Sequence, residues 1–231
     1  MSFQTIREWR ALCLSLPSNK SFTIAEYISS NPPGPVVLLK HDVESKPFRA
    51  LEMARIESNS GLSATYYFQA SILYSHPEVI KKIADLGHEI GYHFDVLDQF
   101  DGDYAKAKIE FERVVKDFEL SGHVIKTVCP HGNPIKIRNG WNSNKDFFRN
   151  SEIVNSFPDI VDIVVRGKEI FGQDFVYITD AGYSWYLVSS IGDNDKIETQ
   201  DTKIQDLNFK IKNNSQVCVV SSHPHLSLIH I

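Results

Sequence analysis

Along most of this chain, short apolar runs that end in ionisable residues alternate with segments of helical periodicity, and this pattern limits the fold more than any other property. Val36-Val37-Leu38-Leu39-Lys40 is one such run, and it ends in His41-Asp42-Val43-Glu44. Lys46 to Ser60 follows, with Phe48, Leu51 and Ala54 at three-residue intervals and Gly61 where a helix would stop. Ala64-Thr65-Tyr66-Tyr67-Phe68 is rich in β-formers. Ser75-His76-Pro77-Glu78 has a capping-box pattern, Val79, Ile80, Ile83 and Leu86 repeat at helical spacing, and Gly87 closes that helix. Gly87 to Asp95 therefore reads as a helix stop leading into a short buried strand. Further strands are predicted at Val124 to Cys129, Val161 to Val165, Phe175 to Thr179 and Val217 to Ser221, and further helices at Tyr104 to Phe118 and Lys203 to Lys212. Residues 130–151 read as loop.

Strand–helix alternation implies right-handed βαβ units and a parallel sheet. Asp42/Glu44, His93/Asp95, Cys129/His131, Asp180 and His223 each follow a predicted strand. A parallel barrel carries its active site at that end, whereas an open sheet gathers such residues only at a switch point, so a parallel (β/α) barrel is expected. Residues 1–35 read as a helical extension packed on it: a helix around Thr5 to Leu16, a turn at Pro17-Ser18-Asn19-Lys20, a segment from Ser21 to Ile28, and a stop at Asn31-Pro32-Pro33-Gly34-Pro35. The barrel domain is expected over residues 36–231.

Charge and composition exclude several partners. With 24 basic and 29 acidic residues, net −5, no basic stripe is available for nucleic acid and no polybasic patch for a membrane surface. The first ten residues include an acid and lack a long apolar run, and no later stretch is apolar enough to span a membrane. A cytoplasmic protein is the expectation. Cys13, Cys129 and Cys218 lack metal-type spacing and read as reduced thiols.

Side chains on a strand alternate faces, so Glu89, Gly91, His93 and Asp95 share one side while His88, Ile90, Tyr92 and Phe94 take the other. Asp42 and Glu44 likewise face together. Two strands that each end in a pair of oxygen or nitrogen donors point to a metal site at one end of the sheet. On an extended strand the Cα atoms of His93 and Asp95 lie roughly 6–7 Å apart, close enough for both side chains to reach one ion. Asp98 is the alternative, which would need a helical turn after His93. His76, His123, His225 and His230 are read as surface histidines.

Gly87-His88-Glu89-Ile90-Gly91-Tyr92-His93, together with the other strand-end residues in order, resembles the polysaccharide deacetylase (NodB-homology) family over roughly Val36 to His225. Asp42 and Glu44 match the family's first acidic motif, Asp180-Ala181-Gly182-Tyr183-Ser184-Trp185 its fourth and His223-Pro224-His225 its fifth. Two positions depart from it. Leu97 stands four residues after His93, where the family has its second metal histidine, and Cys129-Pro130-His131-Gly132-Asn133-Pro134 replaces an arginine-bearing third motif.

The resemblance implies a distorted barrel of about seven strands and a metal-dependent hydrolase of a carbon–nitrogen bond, an N-acetyl amide on a small carbohydrate or sugar conjugate. Asp42 would be the base, His223 the acid for the leaving amine, and Glu44, His93 and Asp95 the ligands of Zn²⁺ or, given a harder donor set, Mn²⁺, Co²⁺ or Fe²⁺. Asp42 and Glu44 could exchange roles. His131, Asp180 and Trp185 would line the sugar pocket. The competing expectation is a non-catalytic relative that binds a glycan or sugar and has lost the metal with the second histidine.

Overall fold

A computed structural model describes residues 5–17, 21–173, 175–180, 185–188, 199–202 and 217–227. Its strands are β1 (Val37–Val43), β2 (Ala64–Phe68), β3 (Glu89–Phe94), β4 (Thr127–Pro130), β5 (Val161–Asp162), β6 (Val176–Thr179), β7 (Trp185–Val188), β8 (Thr199–Thr202) and β9 (Cys218–Ser222). They form one sheet in the order β5-β4-β3-β2-β1-β9-β6-β7-β8. Every pairing from β5 across to β6 is parallel, which gives seven parallel strands, and β7 and β8 extend the edge antiparallel. The sheet curls into a distorted barrel that stays open between its two edges, as expected. Among the described residues no helix is long and apolar enough to cross a membrane.

The two faces of the sheet carry different cores. Outward residues Leu39, Val43, Tyr66, Phe68, Tyr92, Phe94, Val128 and Val220 pack against the surrounding helices in the larger apolar cluster. Inward residues Leu38, Tyr67, Cys129 and Val219 form a smaller cluster inside the barrel. The N-terminal helices close both. α1 (Ile6–Ser15) and α2 (Ile24–Ser30) each begin with a capping box, Thr5 with Glu8 and Thr23 with Glu26. α1 buries Trp9, Leu12 and Cys13 in the larger cluster. α2 sits across the start of the strands, where the Ile24 N–H donates to Thr65 Oγ1 (2.9 Å) and the Ala25 N–H to Glu89 Oε2 (2.9 Å).

A buried polar network ties α1 to the outer face. Glu57, on α3 (Pro47–Asn59), accepts from Trp9 Nε1 (3.0 Å) and Tyr66 O–H (2.7 Å) and lies 3.0 Å from His41 Nε2. His41 Nδ1 meets Ser222 Oγ at 2.7 Å. His41, although adjacent to Asp42, is thus turned away from the barrel interior and belongs to the outer packing.

Local departures from the sequence reading have visible causes. Within the expected loop 130–151 a helix forms at Lys145–Arg149, because Phe147 and Phe148 bury their rings against Phe94 and Phe111. β5 stops at Asp162 instead of continuing to Val165, since Asp162 Oδ1 accepts the N–H groups of Val164 (2.8 Å) and Val165 (2.9 Å) and turns the chain. β4 starts at Thr127 and leaves Val124 exposed. β3 ends at Phe94, and Asp95 (φ −134°, ψ 23°) caps a helical turn at Val96–Gln99. The turn at 18–20, the stretch 181–184 and the helix expected at Lys203 to Lys212 lie outside the described residues.

Gly91 sets the spacing inside the barrel. A Cβ added there would overlap the ring of Tyr67 and lie 3.0 Å from the Thr127 carbonyl oxygen, and Tyr67 cannot swing aside because its O–H is bonded to Thr127 Oγ1 (2.8 Å). Gly91→Ala is therefore expected to destabilise the fold by about 1–3 kcal/mol, the usual cost of overpacking a filled core. A denaturant midpoint equal to that of the unsubstituted chain would contradict this.

Candidate metal centre

The barrel interior is filled in polar tiers that rise to the strand ends. At the floor Glu89 accepts from Thr65 Oγ1 (2.8 Å) and Thr127 Oγ1 (2.6 Å), which completes a carboxylate that burial alone makes harder to ionise. Above it lies Lys40, 1% exposed, whose Nζ donates to Asp42 Oδ2 (2.5 Å) and Ser221 Oγ (3.3 Å) and sits 5.6 Å from the centre of the Tyr67 ring. Burial by itself would raise the Asp42 pKa, but the charge of Lys40, with His93 and His223, outweighs it and brings the carboxyl down to about 2. Cys129 Sγ lies 3.9 Å from the same Oδ2, and burial pushes its thiol pKa well up.

At the rim, Glu44 is surrounded by imidazoles. Its Oε1 is 3.5 Å from His93 Nε2 and 3.4 Å from His131 Nε2, and its Oε2 is 3.4 Å from His225 Nε2. Burial opposes ionisation of Glu44, yet His131 and His93 hold its pKa below the ordinary carboxylate value. His93 Nδ1 is 3.0 Å from the Cys129 carbonyl oxygen, which can only accept, so Nδ1 carries a hydrogen and Nε2 is the nitrogen turned to the rim. His93 Nε2 and Asp42 Oδ1 are buried without a hydrogen-bond partner among the described residues.

Those orphaned atoms provide the test for a metal. Donor atoms of Glu44, His93 and His131 lie within 4.8 Å of one another, and so do those of Asp42, His93 and Cys129. Two imidazole nitrogens and a carboxylate oxygen, one of the nitrogens lacking any other partner, are a donor set suited to a catalytic divalent ion. The residues fit one.

His131 reaches the rim because its loop is anchored. Its N–H donates to the Phe94 carbonyl at the end of β3 (2.8 Å), and Asn144 Nδ2 bridges the His131 carbonyl (2.9 Å) to Asp98 Oδ2 (3.0 Å). Asp98 also takes a two-pronged bond from Arg138 (2.7 and 2.6 Å) and one from Trp141 Nε1 (2.9 Å). Asp98, the alternative ligand in the sequence reading, is thus occupied in holding the loop that carries His131. Asp95 is half-buried next to His93 and His131 but belongs to neither donor group among the described residues. The strand on which its approach to the ion depended ends one residue earlier.

The remaining site residues of the sequence reading are distributed differently. His223 Nδ1 is 2.7 Å from Asp180 Oδ1, the His223 N–H also reaches that carboxylate (2.9 Å), and Nε2 is 3.6 Å from Asp42 Oδ2. Burial lowers the pKa of His223, but Asp180 and then Asp42 outweigh it and raise it. Asp180, 2% exposed, orients His223. Trp185 is 2% exposed within the larger apolar cluster, so it offers no open ring face. His225, read as a surface residue, instead approaches Glu44. Lys40 was hidden in an apolar run, although the two-residue spacing to Asp42 already put both on one face.

Comparison of the sequence with known protein families finds no match, and comparison with curated proteins finds none either. Solved structures do match. The catalytic domain of a peptidoglycan N-acetylglucosamine deacetylase from Eubacterium rectale superposes with TM-score 0.50 at 14% identity, over 84% of this chain and 79% of that one. A family 4 carbohydrate esterase from Streptomyces lividans gives TM-score 0.49 at 15% identity, over 81% and 79% of the two chains. A CE4 family pseudoenzyme from Bacillus anthracis gives TM-score 0.47 at 12% identity, over 84% and 59%. The first of these shows that the chain has the fold of the polysaccharide deacetylases.

If His131 completes the donor group, His131→Ala should weaken Zn²⁺ or Co²⁺ binding, measured by calorimetry, by more than the roughly 10–100-fold that follows loss of a residue merely supporting a ligand. Asp95→Ala should stay within that range. The reverse ranking would return the third ligand to Asp95.

Proposed function

We propose that this protein is a metal-dependent hydrolase of an amide, specifically an N-acetyl group on a carbohydrate or sugar conjugate. One observation carries the reading. A three-donor group, an ionised carboxylate with one unpartnered oxygen, and a carboxylate-held imidazole converge at the C-terminal ends of the parallel strands, where a barrel of this kind carries its chemistry. The sugar amide is supported by the shared fold with an N-acetylglucosamine deacetylase domain.

Glu44, His93 and His131 would hold a divalent ion, whose chemistry is to polarise the amide carbonyl and acidify the attacking water. Asp42 takes the water proton. Its Oδ2 is fixed by Lys40, which leaves Oδ1, unpartnered among the described residues, to act as base. Against the effect of burial, Lys40, with His93 and His223, keeps this carboxyl below the ordinary range, so Asp42 stays ionised next to the donor group. His223 supplies the second proton. Asp180 fixes Nδ1 and favours the imidazolium, so Nε2 can deliver a proton to the amine as the carbon–nitrogen bond breaks.

Two substitutions separate these roles. Asp42→Asn should retain the metal while lowering turnover of an N-acetylated sugar by roughly 10²–10⁴-fold, the usual contribution of a general base. His223→Ala should slow an amide far more than an activated ester of the same acyl group, because only the poor leaving group needs protonation. Metal loss in Asp42→Asn would make Asp42 a ligand, and equal losses on both substrates would remove His223 from proton delivery. A purified chain that takes up no ion and hydrolyses no acetylated sugar would favour the binding protein over the enzyme.

A further inference from the structure

Both donor groups contain His93, and His93 has one lone pair to give, at Nε2. Among the described residues, a divalent ion held by His93 therefore sits either at the rim, with Glu44 and His131, or one tier lower, with Asp42 and Cys129. The lower position has fully buried donors and a sulfur ligand, which would favour soft ions such as Zn²⁺ or Cu⁺ over Mn²⁺ or Fe²⁺. Donor geometry alone does not choose between the two, since each group spans no more than 4.8 Å.

What distinguishes them is a cation already inside the barrel. Lys40 Nζ lies 2.5 Å from Asp42 Oδ2, the same oxygen that Cys129 Sγ approaches at 3.9 Å. Ser221 Oγ holds the ammonium at 3.3 Å and the face of Tyr67 backs it at 5.6 Å. The side chain is 1% exposed and lies between β2 and β9 on the central strand β1, so it is held in place beside Asp42. A doubly charged ion bound to Asp42 and Cys129 would sit within a few ångströms of this fixed positive charge, in an interior where little water screens the repulsion.

We propose that the Lys40 ammonium serves as a built-in cation for the lower group, which confines the divalent ion to Glu44, His93 and His131 and keeps it off Cys129. Lys40 thereby sets both where the ion sits and how hard its ligand set is. Asp42, neutralised by a side chain and not by the metal, remains available as a base. This proposal rests on the metal centre described above, and it concerns only which of the two groups is filled.

Cobalt reports the choice without any substrate, because a Co²⁺–thiolate bond adds a sulfur-to-metal charge-transfer absorption in the near ultraviolet that nitrogen and oxygen ligands do not produce. Titrated with Co²⁺, the full chain should bind it with no such band, and Cys129→Ser should bind it with the same spectrum. Lys40→Met should gain the band, and Lys40→Met combined with Cys129→Ser should lose it again. If circular dichroism shows that Lys40→Met does not fold, Lys40→Gln, which keeps a hydrogen bond to Asp42 without the charge, takes its place.

A thiolate band in the unsubstituted chain would overturn the proposal, as would a folded, cobalt-binding Lys40 variant whose spectrum matches the unsubstituted one. An unsubstituted chain that takes up no Co²⁺ refutes the metal centre itself. In that case the role of Lys40 survives only if its replacement creates a thiolate-ligated site, and falls if it does not.

Discussion

A barrel lined with polar side chains must satisfy each of them without bulk water, and the constraint is tightest at the ion pair between Lys40 and Asp42. Two opposite charges two residues apart on one strand share a face by the pleat, and here both lie inside the barrel. Burying either charge alone is far more costly than burying the pair. The rest of the interior is arranged around them: Ser221 from β9 takes a second ammonium bond, Tyr67 from β2 supplies a ring face, and Gly91 on β3 leaves room for that ring. The pair also decides the chemistry above it, since it spends one oxygen of Asp42 and leaves the other.

The two faces of β1 divide the work between stability and function. His41 looks outward and joins Glu57, Trp9, Tyr66 and Ser222 in a network that seals α1 and α3 to the sheet. Lys40 and Asp42 look inward. The histidine that stands beside the acidic motif in the sequence is therefore a packing residue, while a lysine that reads as the end of an apolar run sits at the centre of the site.

The barrel and its functional end were legible in the sequence because both follow from period-two and period-3.6 patterns and from polar residues placed just past strands. Asp42, Glu44 and His93 came from the same rule. His131 was also placed past a strand, but for the sugar pocket, because its approach to Glu44 depends on a loop. His131 is brought to the rim by Asn144, Asp98 and Arg138, contacts between residues 98 and 144 that no local pattern announces. Asp95 was expected on an extended strand, and one change of backbone, the helical turn from Val96, removed the reason for choosing it. Asp180 follows β6 as expected and holds His223, whereas Trp185, placed by the resemblance alone, opens β7 and is buried in the larger apolar cluster.

The central claim is that Glu44, His93 and His131 together hold one divalent ion. X-ray absorption spectroscopy of the zinc-loaded chain tests it most directly, because scattering from imidazole carbons counts the histidines and sulfur stands apart at about 2.3 Å from nitrogen and oxygen at about 2.0–2.2 Å. The structure predicts two imidazoles with oxygen ligands and no sulfur. A single imidazole, or a sulfur ligand, would contradict it.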